Sequence, residues 1–123
     1  MRKYDLEERL IEYAVLIINV VKLLPKSIEG SILGNQLIKS GTSPALNYGE
    51  AQSAESRKDF IHKSSVILKE LRESHVCLRI VNKSYLIPDI KILENVISET
   101  NELISIFVTS VNTAKKNMIK QKL

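Results

Sequence analysis

The chain has 123 residues, which suits one domain with a modest core, and only seven are Gly or Pro, too few for the many turns of a strand-rich fold. Its net charge of +4, from 18 basic and 14 acidic residues, permits contact with phosphate but is weaker than a dedicated basic arm. One cysteine, Cys77, excludes an internal disulfide, the longest apolar run (residues 14–18) is far short of a membrane span, and Asp5, Glu7 and Glu8 interrupt any leader-like start, so the expectation is a cytoplasmic protein with no membrane partner.

The first predicted helix covers about residues 5–24. Leu6, Leu10, Tyr13, Ile17, Val20 and Leu24 step by threes and fours, the period of a bundle-facing stripe. Asp5, Glu7 and Glu8 complement the positive end of the helix dipole, and Pro25 ends the helix by disfavouring a helical residue before it. Ile11, Ala14 and Ile18 widen the apolar face beyond one neighbour.

Ser27 is suited to cap a second helix over about 28–51. Ile28, Ile32, Leu33, Leu37 and Ile38 form its early apolar face. Gly41, Ala45 and Gly49 then recur every fourth residue as a nearly smooth strip. Pro44 removes a backbone hydrogen bond and adds a kink. The periodicity resumes at Ala45, Tyr48 and Ala51, so the helix is expected to continue, with a break near Thr42 as the alternative.

The third helix covers about 55–83, opened by Ser56 with Asp59 three residues later, a loose capping pattern. Its stripe is Phe60, Ser64, Ile67, Leu71, Ser74, Leu78 and Val81. Residues 85–87 form a short apolar loop, and Pro88 suits the first turn of a fourth helix over about 88–116. That helix carries the clearest seam: Ile90, Leu93, Ile97, Thr100, Ile104, Phe107, Val111, Ala114 and Met118. The basic tail, residues 115–123, is expected to fray.

Four amphipathic helices joined by short connections, with no period-two pattern, predict a single all-α domain over 1–123: an antiparallel up-down-up-down four-helix bundle. Ile67, Leu71, Leu78, Ile97, Ile104 and Phe107 are its expected core. Val96, Leu103 and Val108 on the fourth helix, with Ile11, Ala14 and Ile18 on the first, are apolar surface beyond what one bundle needs. They predict a homo-oligomer closed by a heterologous contact.

The chain lacks a cysteine pair, an HExxH motif and a glycine-rich phosphate loop, so no catalytic residue, metal ligand, cofactor or small-molecule substrate is inferred. Cys77 reads as a small buried hydrophobe, since His75, two residues away, falls on another helix face. Ser43, Asn47 and Glu50 make a polar stripe at the corner between helices two and three. It is either a hydrogen-bonded latch or a ligand contact. Arg57, Lys58 and Lys63 project near the same corner, as a solvated face or as phosphate contacts, with Lys115 and Lys116 as further candidates.

Residues 40–51, SGTSPALNYGEA, followed by residues 54–63, AESRKDFIHK, resemble the signature of the four-helix bundle proteins encoded in intervening sequences of bacterial 23S ribosomal RNA genes, and residues 69–73, KELRE, continue the pattern. The motif covers about a third of the chain. Gly49 departs from it, where the family more often has alanine. The resemblance implies a bacterial homopentamer with no established enzymatic activity. A more distant likeness is to the accessory protein of diversity-generating retroelements, also pentameric, which works with a reverse transcriptase and nucleic acid. The likenesses imply RNA or DNA as partner. The alternative is a protein scaffold or adaptor that binds no nucleic acid.

Overall fold

The computed structural model describes residues 5–122, with side chains through Lys120. Four helices make up the fold: α1 (Leu6–Leu23), α2 (Ile28–Gln52), α3 (Arg57–Lys83) and α4 (Ile90–Lys122). Each packs against the next, and α4 closes on α1. The described residues contain no strand. The fold is the expected all-α bundle.

All four helices start with the same device. A side-chain oxygen just outside the helix accepts the amide three residues on: Asp5 from Glu8 at 3.1 Å, Ser27 from Gly30 at 3.1 Å, Ser56 from Asp59 at 3.0 Å and Asp89 from Ile92 at 3.3 Å. Each cap satisfies one amide that the helix cannot, worth about 1 kcal/mol. Pro88 therefore precedes the cap of α4 rather than occupying its first turn. At the end of α3, Tyr85 adopts a left-handed backbone with φ 57°. Its amide donates to Asn82 O and that of Leu86 to Val81 O, which closes the helix in the geometry usually given to glycine.

α2 runs unbroken through Pro44, which is buried. The helix survives because it lies against α1 and α3 along its length, and packing outweighs one lost hydrogen bond. The strip that admits α1 differs from the expected one. Gly49 is open to solvent, with nothing within 4 Å of where a Cβ would stand. Gly30, Gly34 and Gly41 are the buried members. A Cβ on Gly41 would come within 2.6 Å of Ile17 Cγ1, so α1 approaches α2 at a separation only glycine allows there.

Leu10, Tyr13, Ile17, Leu37, Ile67, Leu71, Leu78, Leu93, Leu103 and Phe107 fill the core. Ile97 and Ile104 are half-buried, while Val96 and Leu103, expected on an outer face, are 1% and 0% exposed. The sequence offers adjacent apolar pairs at 96/97 and 103/104, and either member continues a three-four spacing through Thr100 and Phe107. Packing between α1 and α3 selects the first of each pair. Much of the apolar surface that remains outside belongs to α1, where Ile11 and Ile18 are exposed with Ala14 half-buried, and to the α2/α3 side, with Ile90 and Ile119 exposed near the two ends of α4; Val108 is half-buried.

At mid-height each helix contributes one hydroxyl to a buried layer. Tyr13 Oη lies 2.8 Å from Thr100 Oγ1, Ser40 Oγ lies 2.8 Å from Ser74 Oγ, and Ser74 is close enough to Tyr13 to act on its phenol. Thr100 donates to Val96 O at 2.7 Å. Burial pushes the Tyr13 phenol above its ordinary pKa, and the neighbouring hydroxyls of Thr100 and Ser74 offset part of that rise. On the α1/α4 side Arg9 clasps Glu99 through Nε and Nη2 at 2.9 and 2.8 Å, with Glu102 at 3.4 Å.

Candidate nucleic-acid interface

The hydroxyl layer fixes the register that places the basic residues. Ser74 and Thr100 share a level. Arg57 lies 17 residues before Ser74, and Asn117 lies 17 after Thr100. In antiparallel helices of equal rise this sets Arg57 and Lys58 at the level of Lys115 and Lys116, at the end of the bundle where α3 begins. The expected fraying of the tail is not what the structure shows: α4 stays helical to Lys122. Residues 113–122 contain no Gly or Pro, and lysines near a helix C-terminus favour the negative end of its dipole. Leu6 lines a crevice with Ile106 and Thr109, so the last three turns of α4 run beyond the start of α1.

Lys58, Lys115, Lys116 and Lys120 are exposed there. Lys63 Nζ lies 3.2 Å from Asp59 Oδ2, so its charge is partly neutralised. Asp59 serves the corner in three ways: its amide donates to Ser56, its carboxylate accepts the Glu55 amide at 3.3 Å, and it holds Lys63. Arg57 is half-buried, and its Nη1 is sealed from water without a hydrogen-bond partner. The exposed lysines, rather than Arg57, are the groups that can reach a phosphate unaided.

Sequence reasoning counted Lys120 within the basic tail without singling it out as a contact, and stopped the acid-free stretch at that tail. Glu102 is the last acid in the chain, so residues 103–123 carry lysines alone. That signal was legible once α4 was taken as continuous.

The polar corner divides. Asn47 Nδ2 donates to Ser43 Oγ at 2.9 Å, one turn back on the same helix, and the pair is partly buried. Glu50 is exposed and stands apart from it. The bond lies within α2, so the turn into α3 is held by Ser56 and Asp59 instead. Nearby, Tyr48 meets Phe107 edge to face at 6.3 Å between ring centroids. It lines a crevice of about 750 Å³ with Asp5, Glu7 and Gln52. Burial raises the Tyr48 pKa, reinforced by Glu7 and then Asp5. Those acids make the α1 side of this end unfavourable to a phosphate.

Cys77 is 8% exposed and its thiol donates to Leu33 O at 3.7 Å. Burial pushes its pKa up, the opposite of what a reactive thiolate requires. Among the described residues no group of three or more His, Cys, Asp or Glu is placed to hold a metal ion, and no helix is long and apolar enough to cross a membrane.

The fold and its charged end define a small helical-bundle protein with a lysine-bearing terminal helix. The chain belongs to the family of 23S rRNA-intervening sequence proteins, which it matches over residues 2–109. Among solved structures it is similar to a protein of unknown function from the S23 ribosomal protein family of Bacteroides thetaiotaomicron VPI-5482. The two are 28% identical, with a TM-score of 0.77 over 85% of this chain and 96% of that one. No curated protein matches the chain.

Proposed function

We propose that the chain is a non-enzymatic bundle that assembles with copies of itself into a ring and holds nucleic acid, RNA foremost, at its lysine-bearing end. The observation that carries the reading is the acid-free, helical C-terminal part of α4 beside Lys58. A rigid row of lysines presents charge at fixed spacing, and each lysine that neutralises a phosphate releases counterions. The ring supplies repetition. Five copies, the number implied by the family resemblance, carry a net charge of about +20, and a concentrated basic face attracts phosphate more strongly than an isolated chain. A salt titration of binding to a structured RNA tests it. The expected result is affinity that falls linearly on a log–log plot with a slope of about −0.7 to −0.9 per phosphate contacted. Binding that ignores salt, or none at low salt, refutes the reading and favours a protein scaffold.

A further inference from the structure

We propose that two uncovered faces of this chain pair across neighbouring copies: the outward stripe of α1 seats in the groove between α2 and α3 of the next copy. This rests on the self-assembly reading above and adds which faces meet. The groove has a volume of about 880 Å³ and is lined by Ile32, Leu33, Leu68, Val76 and Ile80. Of these Ile32, Val76 and Ile80 are 56%, 53% and 48% exposed, a high proportion for branched aliphatics on one side of a bundle. The stripe is Ile11, Val15 and Ile18, with Val15 at 50% exposed. At 3.6 residues per turn these side chains lie about 120–180° around α1 from Arg9, which faces α4. Ridge and groove thus occupy different sides of the bundle, and one copy can use both at once, as a heterologous contact requires.

Charge and level select a second copy as the occupant. Tyr13 and Ser74 are neighbours in the buried layer and so share a level. α1 and α3 run in the same direction, since α2 lies antiparallel to both: Gly34 and Gly41 meet Val21 and Ile17, and Leu33 and Ser40 meet Cys77 and Ser74. A residue of α1 is therefore level with the α3 residue 61 positions later. Glu8 is level with Lys69, Val15 with Val76, and Asn19, next to Ile18, with Ile80. The stripe begins among Glu7, Glu8 and Glu12, and the groove is lined by two bases, Lys69 and Arg72, against one acid, Glu73. A copy rotated about an axis parallel to the helices, without sliding along it, sets acid against base and valine against valine. Zero sliding is the condition that separates a closed ring from an open filament. In such a ring every lysine-bearing end points the same way.

Cysteine linking tests the pairing. In a Cys77→Ala background, the double variant Val15→Cys/Val76→Cys is oxidised gently and run on a denaturing gel, with light scattering on the unoxidised protein. The expected result is a ladder of covalent multimers that ends at the ring size, absent from either single variant. A multimer in solution that gives no ladder, or a Val15→Cys single variant that links to itself, overturns the face assignment and leaves self-assembly standing. A monomer in solution overturns both. As a second readout, Glu8→Lys is expected to release subunits and Glu8→Lys/Lys69→Glu to restore them; failure of the restoring pair contradicts the register.

Discussion

The Tyr13 hydroxyl of α1 lies 2.8 Å from Thr100 Oγ1 of α4, with both side chains buried. Ser74 of α3 is a neighbour of the same phenol, and Ser40 of α2 bonds Ser74 at 2.8 Å, so one buried polar layer crosses the whole bundle. Apolar contacts tolerate sliding between helices by a turn; these hydroxyls do not, because a slip would leave several of them buried and unpaired, at about 1–3 kcal/mol each. Tyr13→Phe should therefore cost about 1–2 kcal/mol, read as a lower midpoint in urea. A double-mutant cycle on Ser40→Ala and Ser74→Ala should show coupling above about 0.5 kcal/mol. Additive effects would mean that the two serines do not act together.

The same phenol gives a pH dependence. Its pKa is raised in the folded chain, chiefly by burial, so above the ordinary tyrosine range the unfolded chain gives up a proton that the folded chain retains. Stability conferred by Tyr13 is thus full below pH ~10 and declines as pH rises beyond it. Denaturant midpoints measured between neutral pH and pH 11 should fall, and Tyr13→Phe should flatten that fall. An equal fall in the variant would assign the loss to other groups.

Two positions should tolerate improvement. Ser64 is fully buried with no partner for its hydroxyl, so Ser64→Ala should raise stability by about 1 kcal/mol, since alanine leaves nothing unpaired and favours helix. Tyr85 is 84% exposed in a left-handed conformation, so Tyr85→Gly should add about 0.5–1 kcal/mol. A loss in either case, measured by thermal melting, would contradict the local geometry described.

Glutamate scanning separates core from interface. Leu103→Glu places a charge at a fully buried site and should abolish helicity by circular dichroism rather than release intact subunits. Val15→Glu, at a half-exposed position, should keep helicity and lower the assembled mass. The reverse pattern would return Leu103 to the surface.

The contrast shows where the sequence was legible. Helix existence, the Ser27 and Ser56 caps, and the stripes of α1 and α3 follow from residue spacing, because an apolar face three or four residues apart has only one helix to fit. The α4 seam did not, since paired apolar residues at 96/97 and 103/104 satisfy the period in either register and only contact with both neighbours decides. Ser40, Ser74, Tyr13 and Thr100 each look unremarkable in a core stripe; that they share one level depends on the relative heights of four helices, which no single-helix pattern contains. The glycine strip was placed two to three turns too far along α2 for the same reason: Gly30 and Gly34 look like weak points in a helix until the Pro25 carbonyl is set against the first and Val21 of α1 against the second. Among the candidate site residues, Lys58, Lys115 and Lys116 were chosen by charge alone, and they are exposed as a charged helix face requires. The inward turn of Arg57 and the Asp59 hold on Lys63 were not, because they depend on how the α2–α3 corner folds.

The most direct test of the central claim compares wild type with Lys115→Gln/Lys116→Gln in the salt titration on one structured RNA, with light scattering confirming equal assembly. The expected result is weaker binding to every RNA tried and a log–log slope shallower by about one for each lysine removed. An unchanged slope and affinity in the double variant would contradict it and take nucleic acid away from the lysine-bearing end.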